Sequence, residues 1–338
     1  MRAAKLIDIQ RFQVEEVPAP KISCPGDVLV EVQAVGICGT DLHIFKEGRT
    51  DVSFPRIMGH ELSGIVLEVG TGVSRVRPGD RVVLDPVFAC GVCPTCQKGY
   101  PNVCDSVRCF GVQMDGGYQD HIVVDQEHLY SFDPSVSFET AALAEPFSIA
   151  ANILERTSLR EGEKVLIIGG GTIGLAVLQA AAALGAQAMV ADVSEKKLVL
   201  AETMGAERTV NSGAASISEA VADFAPGGLD VIIDAVGTTP LFTQALALAA
   251  PRSRIACIGF DSRPAEIPPV LITKKELTVI GSRMNCNRFP VVVDWLNQKK
   301  IKAEQMISRR YNILDIQQAF EDTIADSECS VKTLILFD

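Results

Sequence analysis

Val165-Leu166-Ile167-Ile168-Gly169-Gly170-Gly171-Thr172-Ile173-Gly174 is the stretch that decides the fold. Four consecutive apolar residues suit a strand covered on both faces of a parallel sheet. The glycines that follow have G-x-G-x-x-G spacing, and the next residues, Thr172 to about Leu184, carry helical patterning. Further out the same alternation repeats. The strand Ala188–Ala191, the helix Glu195–Met204, the strand Val231–Ile233, the helix Leu241–Ala249 and the strand Ile255–Ile258 follow in turn. Alternating strands and helices predict an α/β fold with a doubly wound parallel sheet.

A glycine-rich turn between a strand and a helix is the setting in which this spacing binds a dinucleotide. Gly169 permits the tight turn, Gly171 lets the backbone approach a pyrophosphate, and Gly174 lets helix and strand pack closely. Thr172 and Ile173 open the helix, whose free N–H groups attract the phosphates. Asp192 ends the next strand, 23 positions after Gly169, where a carboxylate can accept from ribose hydroxyls. No Arg follows it to receive a 2′-phosphate, so the expected cofactor is NAD rather than NADP. Lys197, one helical turn on, and Ile258 and Gly259, at the end of a later strand, are further cofactor-binding candidates.

The preceding ~140 residues have a different rhythm, with many short alternating strands. Val28–Val32 and Gly64–Gly70 are examples, and Arg77-Pro78-Gly79-Asp80 is a turn before the strand Arg81–Leu84. A β-barrel fits this pattern. The last ~50 residues give a helix around Val291–Leu296 and a closing strand Lys332–Phe337. Two domains are expected from 338 residues. A formal net charge of -11 argues against nucleic acid or an anionic membrane as partner. With no apolar leader at the start and no run long enough to span a bilayer, the chain reads as cytoplasmic.

Ten cysteines in a chain of this length point to metal rather than a disulfide scaffold. Cys90, Cys93, Cys96 and Cys104 are spaced C-x2-C-x2-C-x7-C, which closes a four-thiolate zinc site with no position left for water. Such a site is structural. Cys24, Cys109, Cys257, Cys286 and Cys329 have no partner at ligand spacing and read as small core or surface residues. Elsewhere Cys38, His60 and Glu145, with Glu61 adjacent to the histidine, offer one thiolate, one imidazole and a carboxylate. Three protein ligands and one exchangeable position make a catalytic zinc site. Read on composition alone, however, His60 is sooner a satisfied core histidine and Cys38 a buried apolar thiol.

GICGTDLH around Cys38, GHELSGIVLEVG around His60, RPGDRV, the four-cysteine lobe, EPF at Glu145 and GGGTIG together resemble the zinc-dependent medium-chain dehydrogenases, in order and spacing over essentially the whole chain. The resemblance implies a GroES-like β-barrel catalytic domain over 1–146, with the structural zinc lobe at about 88–106. It also implies a Rossmann domain over 147–285 and a segment 286–338 that completes the catalytic domain, with the active site in the cleft between the two. It implies two zinc ions per subunit, NAD, and homo-oligomers (dimer or tetramer) formed by sheet extension along Glu276–Ile280. Glu145 in place of a cysteine resembles the sorbitol and threonine dehydrogenase branch, in which either Glu61 or Glu145 reaches the metal. By the same resemblance Thr40 is the hydroxyl relay beside the substrate, Asp41 orients His60, and His43 is an outer relay. An N-cap role for Thr40 and Asp41 at the helix after Gly39 is compatible with this. The chemistry expected is acidification of a hydroxyl, as zinc takes water from ~15.7 to ~7, a difference of roughly 12 kcal/mol.

Asp85-Pro86-Val87, Glu145–Ile149 and Gly281–Pro290 most resemble the bacterial L-gulonate and L-galactonate 5-dehydrogenases and related starvation-sensing proteins. That implies a small-molecule substrate, a sugar acid oxidised at a secondary alcohol to a keto acid. Arg283 is the expected partner of its carboxylate, with Arg288 second. A polyol such as sorbitol, or L-threonine, is the alternative substrate. A low-turnover zinc- and nucleotide-binding regulator, or a zinc-free quinone reductase, fits poorly with Cys38, Thr40, His60 and Glu145 all present.

Overall fold

A computed structural model of the chain describes residues 1–259 and 263–337. The chain forms two compact units, Met1–Ser148 with Asn285–Asp338, and Ile149–Met284. No helix among the described residues is long and apolar enough to cross a membrane.

In Ile149–Met284 a six-stranded parallel sheet runs in the spatial order Arg208–Asn211, Gln187–Asp192, Lys164–Ile168, Val231–Asp234, Arg254–Cys257, Thr278–Gly281. The central strand is the apolar run with which the sequence argument starts, and Val165, Leu166 and Ile167 are fully buried. The helices Thr172–Ala183, Glu195–Thr203 and Thr239–Leu248 lie where periodicity puts them. The helix Ile217–Phe224 and the strand Arg208–Asn211 are structural additions. Arg208-Thr209-Val210-Asn211 has one apolar residue, so its strand identity comes from the ladder offered by Gln187–Asp192 rather than from its own pattern.

The other unit is built on a sheet ordered Leu129–Ser131, Arg81–Leu84, Glu61–Val69, Asp27–Gly36, Lys332–Leu336, Ile307–Asn312, with His121–Asp125 also pairing Asp27–Gly36. A three-stranded sheet of Arg11–Glu16, Arg2–Asp8 and Arg56–Ile57 accompanies it. Alternate residues Val28, Val30, Val32 and Ala34 are buried, as expected of strands with one face on a core. Two features of this sheet place functional groups. Glu61–Val69 pairs antiparallel with Asp27–Gly36, Gly36 facing Glu61, which brings Cys38 and His60 to one end. The closing strand pairs with the other side of Asp27–Gly36, Leu334 facing Gly36, and the Ile37 N–H donates to the Thr333 carbonyl at 2.9 Å. The start of the closing strand, with Lys332, is thereby carried to the same end, and the chain then runs away from it.

Candidate active site and metal centres

Cys38 is the N-cap of the helix Gly39–Glu47, and its N–H donates to Asp41 Oδ2 at 3.0 Å. Of the cap role considered for Thr40 and Asp41, Asp41 keeps its part: Cys38 is the N-cap, and Asp41 reaches back to it from the third helical position. This geometry turns the Asp41 carboxylate into the core, where it is fully buried, and leaves Thr40 half-buried and His43 exposed on other faces of the helix. Asp41 Oδ1 lies 3.6 Å from His60 Nδ1. Cys38, His60 and Glu61 present ligand atoms within 4.8 Å of one another. Glu145, in the first turn of the helix Ala144–Thr157, is buried in the same neighbourhood but stands outside that ligand-spaced group.

The electrostatics of this pocket are those of a dry site crowded with acids. Burial disfavours the His60 imidazolium, but Asp41 and Cys38 more than offset it and hold its pKa well above the ordinary value. Burial pushes Glu145 up to about 7, Glu61 adding to the rise while His60 and Lys332 oppose it. Among the described residues His60 Nδ1, Asp41 Oδ1 and Glu145 Oε2 are buried without a hydrogen-bond partner. The first two face each other, whereas an unpaired carboxylate oxygen such as Glu145 Oε2 is costly in such a place unless a cation completes it. Thiol, imidazole and carboxylate donors at this spacing fit a zinc ion.

Sequence reasoning missed Lys332. Its ammonium is almost fully buried and donates to Glu61 Oε1 at 2.8 Å, Glu61 Oε2 at 2.6 Å and the Ile37 carbonyl at 3.0 Å. Both oxygens of Glu61 thus accept from Lys332, whereas Glu145 keeps Oε2 unpartnered. Nothing in local spacing marks it. Cys109 fits its reading as a small core or surface residue: its half-buried thiol is pushed up to about 12 by burial and lies close enough to Glu145 and Cys38 to feel their charge.

In the cysteine lobe the sulfur of Cys90 lies 3.9 Å from Cys96 and 3.5 Å from Cys104, and Cys93 lies 3.9 Å from Cys104. Zn–S bonds of about 2.3 Å place tetrahedral sulfurs about 3.8 Å apart. Backbone N–H groups of Val92 and Cys93 lower the Cys90 pKa and that of Cys90 brings Cys104 down to about 6, whereas burial and the neighbouring thiols push Cys96 up to about 12, so two of the four favour the thiolate. This donor set fits zinc with no open position. Replacing Cys96 by serine is expected to lower the melting temperature before it lowers catalysis, because the loop has little core of its own. Unchanged melting with lost catalysis would contradict the structural assignment.

At the glycine turn, a Cβ on Gly174 would stand 1.8 Å from the Gly169 carbonyl oxygen, so helix and strand meet only through glycine there. A Cβ on Gly171 would meet no described atom within 4 Å, which leaves the helix N-terminus open to a phosphate. Asp192 Oδ2 accepts from Gly170 N at 2.6 Å and Oδ1 from Ser194 N at 2.8 Å. The carboxylate is held at the strand end with lone pairs to spare for hydroxyls. Lys197 lies beside Gly170, its Cβ 3.2 Å from where a Gly170 Cβ would be. Gly259 packs against Gly237, whose Cα would be 2.2 Å from a Cβ added there. These features fit a dinucleotide.

The family model for an alcohol dehydrogenase GroES-like domain matches residues 24–134, and that for a zinc-binding dehydrogenase matches residues 172–298. The starvation-sensing protein RspB of Escherichia coli (strain K12) is 35% identical over 326 residues, covering 95% of this chain and 94% of that protein. A 2-dehydro-3-deoxy-L-galactonate 5-dehydrogenase of Pseudoalteromonas atlantica is 32% identical, covering 95% of this chain and 94% of its own length. A crystal structure of rspB from E. coli CFT073 complexed with the cofactor NADH superposes with a TM-score of 0.94 at 34% identity, covering 100% of this chain and 99% of that one. The chain belongs to the zinc-dependent medium-chain dehydrogenases, oxidoreductases that act on a CH–OH group with a nicotinamide dinucleotide.

Proposed function

We propose that the chain oxidises a secondary alcohol of a sugar acid, L-gulonate or L-galactonate, to the 5-keto acid with NAD. The observation that carries the reading is the ligand-spaced group of half-buried Cys38 with buried His60 and Glu61, and the unpartnered Glu145 Oε2 in the same neighbourhood. The sugar-acid assignment rests on the likeness to the 5-dehydrogenase. When bound, the metal would supply acidification of the substrate hydroxyl and the dinucleotide a hydride acceptor.

The chain's own residues do the rest. Cys38 and His60 would hold the metal, with Glu145 as third ligand because Lys332 already engages both oxygens of Glu61. Asp41 keeps the His60 ring in place through Nδ1. Thr40 Oγ1 takes the hydroxyl proton. His43, three positions further along the same helix face, passes it to water, and its side chain is 54% exposed beside Glu47. Gly169, Gly171, Thr172, Ile173 and Gly174 seat the pyrophosphate, Asp192 takes the ribose hydroxyls, and Lys197, Ile258 and Gly259 line the rest of the cofactor site.

Arg283 pairs with the substrate carboxylate. It is exposed, and Asn152 fixes the backbone on either side of it, donating to Ser282 Oγ at 3.2 Å and to the Met284 carbonyl at 3.1 Å. Arg288, whose Nε donates to the Cys286 carbonyl at 2.8 Å, is the second candidate. A homodimer would extend the sheet through Thr278–Gly281, the edge strand, where Val279 is 40% exposed.

The test is a scan of aldonates, polyols and L-threonine with NAD and zinc, followed by absorbance of the reduced cofactor. Aldonates should turn over best. Arg283→Ala should raise their KM by roughly tenfold to a hundredfold, the worth of a charge-assisted hydrogen bond, and leave any polyol activity alone. Equal KM values for wild type and variant would remove Arg283 from the site. Preference for sorbitol or threonine would remove the sugar acid.

A further inference from the structure

Tyr118 is a fully buried tyrosine at a place where packing alone asks for phenylalanine. Its ring meets Phe12 and Phe320 edge-on, with centroids 6.5 and 6.0 Å away. A phenylalanine would keep both contacts and avoid burying a hydroxyl, which is unfavourable unless the hydroxyl is hydrogen-bonded. Here it is. Tyr118 OH lies 3.2 Å from Asp41 Oδ2 and 3.4 Å from the Gly36 carbonyl, and the carboxylate is both the nearer and the stronger acceptor.

Donor counting then shows what the hydroxyl does. Asp41 Oδ2 already receives the Cys38 N–H at 3.0 Å, so a second donor from Tyr118 fills it. Oδ1 is left as the open acceptor, and it is the oxygen that faces His60 Nδ1 at 3.6 Å. The same tyrosine also grips the chain just before His60. Tyr118 N donates to the Met58 carbonyl at 3.0 Å and Gly117 N to the Gly59 carbonyl at 2.8 Å. Gly59 has φ +91, and a Cβ there would lie 2.9 Å from the Tyr118 ring. One residue therefore touches the backbone that delivers His60 and the carboxylate that stands behind its ring.

We propose that Tyr118 is a positioning residue for the metal-ligating histidine: by filling Asp41 Oδ2 it directs Oδ1 to His60 Nδ1 and so keeps Nε2 as the lone pair turned to the metal. This rests on the reading that Cys38 and His60 hold the catalytic zinc.

The experiment is release of zinc from the full-length Tyr118→Phe protein to a chromogenic chelator, with the four-cysteine zinc as internal control. Release of the catalytic zinc should accelerate about tenfold, as losses behind a metal-bound histidine do, while the cysteine-lobe zinc leaves at its wild-type rate and melting stays close to wild type. Asp41→Asn alone should accelerate release at least as much, and the double variant no further, since both act on one ring. Wild-type release from Tyr118→Phe would overturn the proposal. So would equal acceleration of both zincs, which would mean general loosening. A wild-type protein holding zinc only in its cysteine lobe would instead overturn the reading beneath it.

Discussion

Replacing Cys38 by serine is expected to abolish NAD reduction while leaving the fold intact. The metal contributes roughly 12 kcal/mol to acidifying a hydroxyl, and losing even a third of that slows the reaction by about 10³. Stability should change little, because Cys38 caps its helix through its backbone contacts with Asp41, which serine preserves. Activity, bound metal and melting temperature measured on one preparation check this together. An active, zinc-free Cys38→Ser protein would end the mechanism.

The second large effect is on stability. Lys332 and Glu61 each have side chains 1% exposed. Burial works against the ammonium, and Glu61 with Cys38 and Glu145 holds its pKa above the ordinary lysine value. Lys332→Met removes the cation and strands the Glu61 carboxylate in a dry pocket. Breaking a buried pair in this way costs about 3–5 kcal/mol. Adding Glu61→Gln should recover much of the loss, because a neutral side chain no longer needs the ammonium. Denaturant unfolding of the two single variants and the double variant measures the coupling. A Lys332→Met protein as stable as wild type would show that the ion pair does not operate as described.

The parts of this molecule that could be read from the sequence are those whose chemistry is local. The glycine turn carries its strand, its glycines and its helix within one short segment, and the four cysteines lie in a single loop. Both needed only spacing. Cys38, His60 and Glu145 come from separate elements, and without the family resemblance each is an ordinary buried side chain. Lys332 and Glu61 are 271 positions apart and meet only because the closing strand inserts beside Asp27–Gly36. No periodicity predicts that register. Asp41 was expected to orient His60, yet what turns it inward is the capping geometry at Cys38, and Tyr118 behind it left no trace in spacing. The strand Arg208–Asn211 escaped notice for a related reason, since its ladder, not its side chains, makes it a strand.

The most direct test of the account is the number of zinc ions per chain, counted by atomic spectroscopy on protein whose turnover is measured in parallel. The account predicts two, with selective removal of the more labile one extinguishing NAD reduction and zinc restoring it. A protein with one tightly held zinc, confined to Cys90, Cys93, Cys96 and Cys104, and with undiminished turnover would contradict it.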